Sequence, residues 1–339
     1  MKRRILGATG ISVSEFALGA MMFGRMGNPD HDDSVRIIHR AIDVGINVID
    51  TADVYSGGES EEIVGRAIKG HRDDLVIATK FGLPMGQDPN QGGGSRRWIT
   101  AEVENSLRRL GTDHIDLYQM HRPDYSTDVG ETLSALSDLV QAGKIRAFGS
   151  SMFPAELIAE AQWAAGRRGT HRFVTEQPMY SIFTRKIEGA VLPTAQRHGF
   201  GVLTFGPLNS GWLSGRADPA TGHRATARPS TFDPGSPAGQ LKTAALGKLT
   251  ALAAEAGLPL PHLAIAFVLA HPAVTSVLLG PRTQAQLDGL LSAAGTELSG
   301  DILDRIDEIV PPGTDLDPAD TYYATPPALA DPALRRRPA

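Results

Sequence analysis

Four residues whose side chains can move protons lie at or just after the ends of short apolar runs: Asp50, Tyr55, Lys80 and His121. The run INVID ends on Asp50 and is followed by a loop that contains Tyr55, while DLVIATK ends on Lys80 and IDLYQMH ends on His121. If these runs are neighbouring parallel strands of one barrel, their carboxyl ends meet at one mouth. A carboxylate, a phenol, an ammonium and an imidazole would then converge, and such a group can exchange a proton with a reacting oxygen.

Each of these residues also has a structural interpretation when it is taken alone. Tyr55 could pack on the surface, Lys80 could be a solvated residue at a strand end, and Asp50 could cap a turn. A single His121 is more often a hydrogen-bonded structural residue, and a His–Asp metal site would need a ligand spacing that this sequence lacks. The four residue types together, at consecutive predicted strand ends, favour the catalytic interpretation.

The composition of the 339 residues argues against several classes of protein and of site. The formal net charge of −5 supplies no basic surface, so we expect no nucleic-acid partner. The absence of cysteine excludes disulfides, thiolate nucleophiles and Cys-ligated metals. The segment MKRRILGATG lacks the apolar core of a signal peptide, and no run approaches the roughly 20 apolar residues that cross a bilayer. We therefore predict a cytoplasmic protein without a membrane partner.

Short strand-like runs alternate along the chain with amphipathic helical segments. The helical segments, such as DDSVRIIHRAIDVG and TAEVENSLRRLG, carry apolar residues at three- and four-residue spacing and a glycine near the end. The strand candidates are apolar almost throughout, as strands buried on both faces are. They are FALGAM, INVIDTA, LVIATKF, IDLYQMH, IRAFGSS, FVTEQ, GVLTFGPL and VTSVLLG.

Eight such strands with intervening helices predict an α/β fold of the (β/α)8 TIM-barrel type, as a single domain over residues 1–339. The opening RRILGATGISVS predicts a β-hairpin, and the G-x-G-x-x-G turn of a doubly wound sheet is missing from the sequence. Residues 214–240, between the seventh and eighth strands, are rich in Pro and Gly and predict a long loop suited to a lid. Residues 311–339 predict an irregular tail, whose final RRRPA we interpret as solvated.

Seven motifs, each at the end of a predicted strand, resemble those of the aldo-keto reductases and cover nearly the whole chain. They are IDTADVY at 49–55, ATK at 78–80, DHIDLYQMHRPD at 113–124, GSS at 149–151, EQPMYS at 176–181, FGPLNSGWLSGR at 205–216 and GPRTQAQL at 280–287. The arrangement is similar to the branch that includes potassium-channel β-subunits and bacterial ketone and sugar reductases. The resemblance implies NADP-dependent reduction of aldehydes or ketones, with the four residues above as an unsubstituted catalytic tetrad.

The chemistry of that tetrad also follows from the groups themselves. A hydride that arrives at a carbonyl carbon leaves negative charge on the oxygen, so an acid must supply a proton. A free phenol is a sluggish donor near neutral pH, but the Lys80 ammonium would favour the phenolate that Tyr55 leaves behind. Asp50 would hold Lys80 by an ion pair, and His121 could hydrogen-bond the carbonyl oxygen and orient it. Alcohol oxidation would use the same groups in reverse.

The resemblance further implies where a nicotinamide cofactor binds. Ser151 and Gln177 would hold the carboxamide, Phe205 would stack on the nicotinamide ring, and residues 206–216 would wrap the pyrophosphate. Arg282 could pair with a 2′-phosphate, which favours NADPH over NADH. The implied cofactor-binding residues are Gly19, Met21, Ser151, Gln177, Phe205, Gly206, Pro207, Leu208, Gly211, Gly215, Arg216, Gly280, Arg282 and Gln286.

Three departures from the family pattern concern the cofactor and leave the hydride step untouched. A Ser–Asn pair that binds the carboxamide is Ser151–Met152 here, so one hydrogen bond is lost or comes from elsewhere. The Glu–Asn pair that contacts adenine is Gly289–Leu290. Phe205 stands where the family often has Tyr or Trp, which preserves stacking and removes a polar group.

Apolar residues near the strand ends predict the character of the substrate. An apolar mouth suggests aromatic or aliphatic aldehydes and ketones, and a deoxysugar ketone stays open as an alternative. A cofactor-sensing regulatory module that binds NADPH and turns over slowly is the rival function, and a catalytically dead barrel is disfavoured by the intact tetrad. The candidate pocket residues, some of which we expect in the core, are Met22, Phe23, Trp98, Met152 and Phe153.

Overall fold

The two strands of the predicted N-terminal hairpin lie outside a closed barrel of eight parallel strands. The computed structural model describes residues 1–221, 223–227, 229–321 and 325–336. The hairpin pairs its strands antiparallel, with Arg4 opposite Val13, and the barrel closes where its last strand pairs with its first. The strands are β1 Arg3–Ile5, β2 Ser12–Ser14, β3 Phe16–Gly19, β4 Val48–Asp50, β5 Val76–Phe81, β6 Ile115–Met120, β7 Ile145–Ser151, β8 Thr175–Gln177, β9 Gly201–Thr204 and β10 Val274–Leu279. The predicted (β/α)8 fold is confirmed.

Helices follow the barrel strands, and their caps lie where side-chain chemistry places them. Asp30 and Ser95 accept backbone N–H groups at the starts of α1 and α3, and Gly111 ends α3 in the left-handed conformation with φ 62°. The helices are α1 His31–Asp43, α2 Glu59–Ala67, α3 Arg96–Leu110, α4 Val129–Gln141, α5 Ala155–Arg168, α6 Val191–Arg197, α7 His223–Ala227, α8 Pro237–Glu255, α9 Leu260–Ala270, α10 Gln284–Leu291, α11 Gly300–Ile309 and α12 Pro327–Ala330.

Alternation along each strand separates the barrel interior from the layer under the helices. Ile49, Ile77 and Tyr118 belong to the large cluster that packs under the helices, whereas Val48 and Ala78 belong to a second, smaller cluster with Leu117 and Leu203. Successive side chains of a strand point to opposite faces. The residues two positions after Val48, Ala78 and Leu117 therefore also point into the barrel, at its carboxyl end, and these are polar.

The hairpin closes the opposite end of the barrel. Leu6 and Val13 join the interior cluster, and Gly7 lies so close to β9 that a Cβ atom there would meet the Gly201 nitrogen at 2.3 Å. Gly7 also has φ +56°, a conformation that side chains rarely adopt. A glycine at this position lets the hairpin seat against the barrel floor.

The long connection between β9 and β10 contains short helical turns. Within residues 214–240 the structure has turns at Pro219–Thr221 and Pro229–Phe232 as well as α7 and the start of α8. Phe232 stacks on Trp212 with ring centroids 5.5 Å apart and an interplanar angle of 1°. His223 Nε2 lies 3.2 Å from the Met26 carbonyl, so the connection contacts the loop after β3.

The first part of the C-terminal tail is fastened to the barrel. The Leu316 N–H donates to the Phe183 carbonyl at 3.0 Å, and Lys242 of α8, with no exposed surface, forms ion pairs with Asp317 and Asp320. The last three residues of the RRRPA sequence lie outside the described part of the chain. Among the described helices none is by itself long and apolar enough to cross a membrane, and one pair, α8 with α9, meets the criterion only jointly across a 92° bend.

Candidate active site

Asp50, Lys80 and Tyr55 meet at the carboxyl end of the barrel. Asp50 and Lys80 point inward from β4 and β5, each 1% exposed, and form a buried ion pair. Lys80 Nζ also donates to the Thr51 carbonyl at 2.8 Å and lies 3.3 Å from the Tyr55 hydroxyl. A charged ammonium thus has three oxygen partners, and one of them is a half-buried phenol that faces the mouth from the turn after β4.

His121 completes the convergence from the end of β6. Its ring meets the Tyr55 ring edge to face, with centroids 5.7 Å apart and an interplanar angle of 83°. The imidazole is 6% exposed, and its Nδ1 is buried without a hydrogen-bond partner among the described residues. The four residues predicted at or just after strand ends therefore lie together at the carboxyl end of the barrel.

The surroundings of His121 and Lys80 shift their pKa values in opposite directions. Burial lowers the pKa of His121 well below its ordinary value, and the charges of Lys80 and Arg122 act in the same direction. Burial also acts to lower the pKa of Lys80, but the charge of Asp50 and the hydrogen bonds with Asp50 and Tyr55 outweigh it and the net shift is upward. At neutral pH the imidazole is therefore neutral while the ammonium is charged.

Two glutamines donate hydrogen bonds to the Asp50 carboxylate, and the sequence analysis did not identify one of them, Gln119. Gln119 Nε2 donates to Asp50 Oδ2 at 3.0 Å, and Gln177 Nε2 donates to the same oxygen at 2.7 Å. Gln177 Nε2 also lies 3.2 Å from Gln119 Oε1. Gln119 is two residues after Leu117 on β6, so the inward alternation of IDLYQM is the signal that could have identified it.

The two residues implied for carboxamide binding are paired in register and both present acceptors. Ser151 of β7 lies opposite Gln177 of β8, and the Ser151 hydroxyl donates to the Gln177 backbone carbonyl at 2.9 Å. The Gln177 side-chain amide directs its N–H groups to Asp50 and Gln119. The free lone pairs of Ser151 and the Gln177 Oε1 atom suit the N–H groups of a carboxamide.

The segment implied to wrap a pyrophosphate has an unusual run of left-handed backbone. Gly206 has φ 70°, Asn209 and Ser210 have φ 46° and 58°, and Gly211 has φ 111°. The Asn209 N–H donates to the Gly206 carbonyl at 2.9 Å and the Gly211 N–H donates to the Leu208 carbonyl at 3.0 Å, so both N–H groups are used within the turn itself. A Cβ at Gly211 would meet nothing within 4 Å, so the backbone at Gly211 is open to close approach by a ligand. This open backbone is the feature of the segment that suits a phosphate group.

The remaining implied cofactor residues lie around the same mouth. Gly19 ends β3 opposite Asp50, and Phe205, half-buried, follows β9. The Arg282 N–H donates to Gln286 Oε1 at 2.8 Å at the start of α10, and the Arg282 carbonyl accepts from Asn28. Met21, Pro207, Leu208, Gly215, Arg216 and Gly280 all lie in the loops that follow β3, β9 and β10.

The predicted substrate-pocket residues are mostly enclosed. Phe23 and Met152 have no exposed surface, which favours packing, and Trp98 lies in the first turn of α3 with its Nε1 buried and without a described partner. Met22 is 8% exposed. Phe153 lines a cavity of about 300 Å³ with Met120, the residue before His121. The other residues that line this cavity are mostly polar and include Asp124, Asp128 and Glu160.

Comparison with known proteins decides the family. The family model described as the aldo/keto reductase family matches residues 15–311. The chain belongs to the aldo/keto reductase family. This aldo/keto reductase is 36% identical over 327 residues to the "Aldo-keto reductase YhdN" of Bacillus subtilis, an alignment that covers 94% of this chain and 96% of that protein. It is also 36% identical over 323 residues to the "Uncharacterized oxidoreductase YrpG" of the same organism, covering 92% of this chain and 96% of the relative.

A second group of relatives has names that refer to ion channels. The "Probable voltage-gated potassium channel subunit beta" of Arabidopsis thaliana is 34% identical over 321 residues, covering 91% of this chain and 97% of that protein. Both groups align along nearly the full length. The family and its oxidoreductase members support an oxidoreductase that acts on small carbonyl compounds.

Proposed function

We propose that this aldo/keto reductase reduces aldehydes or ketones to alcohols, with NADPH as the hydride donor and Tyr55 as the general acid. The observation that carries the proposal is the position of the Tyr55 hydroxyl, 3.3 Å from the buried Lys80 ammonium and beside the His121 ring. When bound, NADPH supplies the hydride. The chain has to supply the proton and an environment that stabilises charge on the substrate oxygen.

Tyr55 suits the role of acid better than its neighbours do. The lowered pKa of His121 keeps the imidazole neutral, so it can donate a hydrogen bond to the carbonyl oxygen but has no extra proton to give at neutral pH. The raised pKa of Lys80 keeps its proton in place. A phenol next to a fixed ammonium can release its proton to the substrate oxygen because the phenolate that forms is stabilised.

The choice of NADPH rests on positive charge at the far end of the proposed cofactor path. Arg282 lies at the start of α10, half-buried, where its guanidinium could pair with a 2′-phosphate. Ser151 and Gln177 would bind the carboxamide, and the open backbone at Gly211 would lie against the pyrophosphate. Apolar residues after the strand ends, such as Met22 after β3 and Phe153 after β7, favour aromatic or aliphatic carbonyl substrates over strongly charged ones.

The test is NADPH oxidation, followed by nicotinamide absorbance, with an activated aromatic aldehyde and the variant Tyr55→Phe. Loss of the acid should lower kcat by at least about a hundredfold. The matched control is Tyr180→Phe, which removes a phenol hydroxyl that donates to Glu188 away from the tetrad and should leave kcat nearly unchanged. Equal rates for wild type and Tyr55→Phe would show that Tyr55 is not the acid.

The names of the channel-related relatives favour a second candidate, a module that binds NADPH and senses its redox state. Such a module would hold the cofactor tightly and turn over slowly. Multiple rapid turnovers of wild-type protein in the same assay would exclude it. NADPH binding without turnover across a panel of aldehydes and ketones would favour it over the reductase.

A further inference from the structure

One carboxyl group is buried next to the turn implied for carboxamide binding and has no role in the chemistry above. Glu176 lies in β8 immediately before Gln177 and pairs in register with Ser150 of β7. Gln177 points into the barrel and reaches Asp50, so Glu176 points to the opposite face, where its side chain has no exposed surface. It lies there beneath the turn that leads from β7 into α5.

That turn has a strained backbone which its surroundings must hold. Met152 has φ 59°, a conformation that costs a non-glycine residue free energy unless neighbouring contacts enforce it. The Met152 N–H donates to the Gln177 carbonyl at 3.3 Å, and the Phe153 N–H donates to Glu176 Oε1 at 3.1 Å. The Met152 N–H is also a donor to the Glu176 carboxyl. Glu176 therefore supplies an acceptor that fixes both residues after Ser151.

A count of protons assigns the form in which Glu176 does this. Ser150 Oγ lies 2.5 Å from Glu176 Oε2 and 3.3 Å from the Thr175 carbonyl, yet a serine hydroxyl has a single proton to donate. If Glu176 is a carboxylic acid, it donates to Ser150, and Ser150 donates to Thr175. Its other oxygen still accepts from the turn. The neutral acid leaves the Ser150 proton for the Thr175 carbonyl, whereas a carboxylate would take that proton itself.

The charge environment agrees with this assignment. Burial raises the pKa of Glu176 to about 8. Hydrogen bonds from Ser150 and from the N–H groups of Phe153 and Met152 act in the opposite direction, as does the positive charge of Arg122 in the loop after β6, but burial dominates. The acid form therefore prevails at neutral pH, and ionisation falls in the mildly alkaline range.

We propose that Glu176 is a positioning residue: as a neutral acid it holds the 151–153 turn in the shape that receives the nicotinamide carboxamide. The inference rests on the proposed function, since it concerns the same cofactor. An ionised carboxylate in this position would be buried, and opening of the turn to water would relieve that burial. Cofactor binding should therefore weaken as the solution becomes alkaline.

The variant Glu176→Gln tests the proposal because an amide reproduces the neutral acid at every pH. Its oxygen can accept from the turn, and its N–H can donate to Ser150. NADPH binding to the full chain is titrated by fluorescence at about pH 6.5 and about pH 9.5, on either side of the Glu176 pKa. The Kd of the wild type should rise about fivefold or more, and the Kd of Glu176→Gln should change by less than about twofold. The control Glu156→Gln removes an exposed carboxylate of α5 and should follow the wild type.

Parallel pH profiles for wild type and Glu176→Gln would overturn the proposal. Glu176→Leu removes the acceptor and should weaken NADPH binding about tenfold or more at both pH values. Wild-type affinity in that variant would also overturn it, and the glutamine comparison decides if the leucine variant fails to fold. A wild type that binds no NADPH contradicts the proposed function. In that case the thermal unfolding midpoint still tests whether Glu176 is protonated. A change in midpoint between the two pH values that is the same for wild type and Glu176→Gln would refute the proposal.

Discussion

At the scale of single residues, the Asp50 carboxylate joins the proton-transfer group to the proposed cofactor site. One of its oxygens pairs with Lys80, and the other accepts from Gln119 and Gln177. A buried carboxylate needs such partners because an unpaired charge is costly in the interior. The same contacts orient the Gln177 amide, whose oxygen is the proposed acceptor for the carboxamide. The position of Gln177 thus depends on the carboxylate that pairs with Lys80.

The variant Gln119→Met tests this link. It removes one donor to Asp50 and one acceptor for Gln177, so the free energy of unfolding should fall by about 1–3 kcal/mol. NADPH affinity should weaken by about tenfold, because Gln177 loses a contact that orients it. Urea denaturation and fluorescence titration measure the two effects. Gln162→Met is the control, since Gln162 of α5 donates to the Phe173 carbonyl away from the site and should affect stability alone.

Whether a site residue could be predicted from the sequence depends on the residues that surround it in the chain. Asp50, Lys80 and His121 end apolar runs, so their positions at one mouth follow from the parallel barrel. Gln119 and Glu176 lie inside strand-like runs. In such a run, nothing in the local sequence tells whether a polar side chain is buried and hydrogen-bonded or exposed to solvent. Their partners lie on other strands of the barrel, far away in sequence. Those contacts exist only once the strand register is set.

At the scale of secondary-structure elements, the register of the strands and the close packing of the hairpin against the barrel determine where the strand ends lie. All eight barrel strands and the hairpin were predicted, because buried apolar runs and a glycine turn are local signals. The short helices between β9 and β10 were not predicted, since they begin at prolines and have no apolar period. Their position depends on the stacking of Phe232 on Trp212, which is a tertiary contact.

The hairpin offers a test of close approach with a built-in control. Gly7→Ala would place a Cβ 2.3 Å from the Gly201 nitrogen, and we expect a loss of about 1–3 kcal/mol in the free energy of unfolding from this clash. Gly10→Ala shares the strain of a positive φ, at +76°, but its Cβ would meet nothing within 4 Å. The difference between the two variants in chemical denaturation isolates the contact. Equal losses would show that backbone strain alone matters.

At the scale of the whole molecule, segments outside the eight βα units pack against the barrel. The hairpin covers the floor, and the tail up to Thr321 lies against α8 and the loop after β8. Carboxyl groups are also buried beside the barrel, where Glu61 of α2 and Glu102 of α3 pair with Arg109. Burial raises the pKa of Asp53 well above its ordinary value, with the charges of Glu61 and Glu102 adding to the effect. Burial likewise raises the pKa of Glu61.

These carboxyls determine how stability depends on pH. Because the pKa of Asp53 is raised in the folded state, the folded chain holds a proton that the unfolded chain releases above about pH 4. Its contribution is therefore complete below that pH and is lost as pH rises through the folded pKa. Asp124 behaves oppositely, since hydrogen bonds from Ser126, Thr127 and Gly94 outweigh burial and lower its pKa to about 2. Its contribution is lost only as the pH falls toward about 2.

The variant Asp53→Asn should remove the loss of stability at alkaline pH, because its amide is neutral at every pH. The amide oxygen can still accept the Val54 N–H. Urea denaturation should give equal stabilities for variant and wild type near pH 4, and an advantage of about 1–3 kcal/mol for the variant near pH 8.5. Asp124→Asn, the control, should be less stable than wild type at neutral pH and approach it only in strong acid. If the stability advantage of Asp53→Asn does not grow with pH, another carboxyl of the buried acidic group binds the extra proton of the folded state. Glu61→Gln, which keeps an acceptor for the Thr79 hydroxyl, would then be expected to show the pH-dependent gain instead.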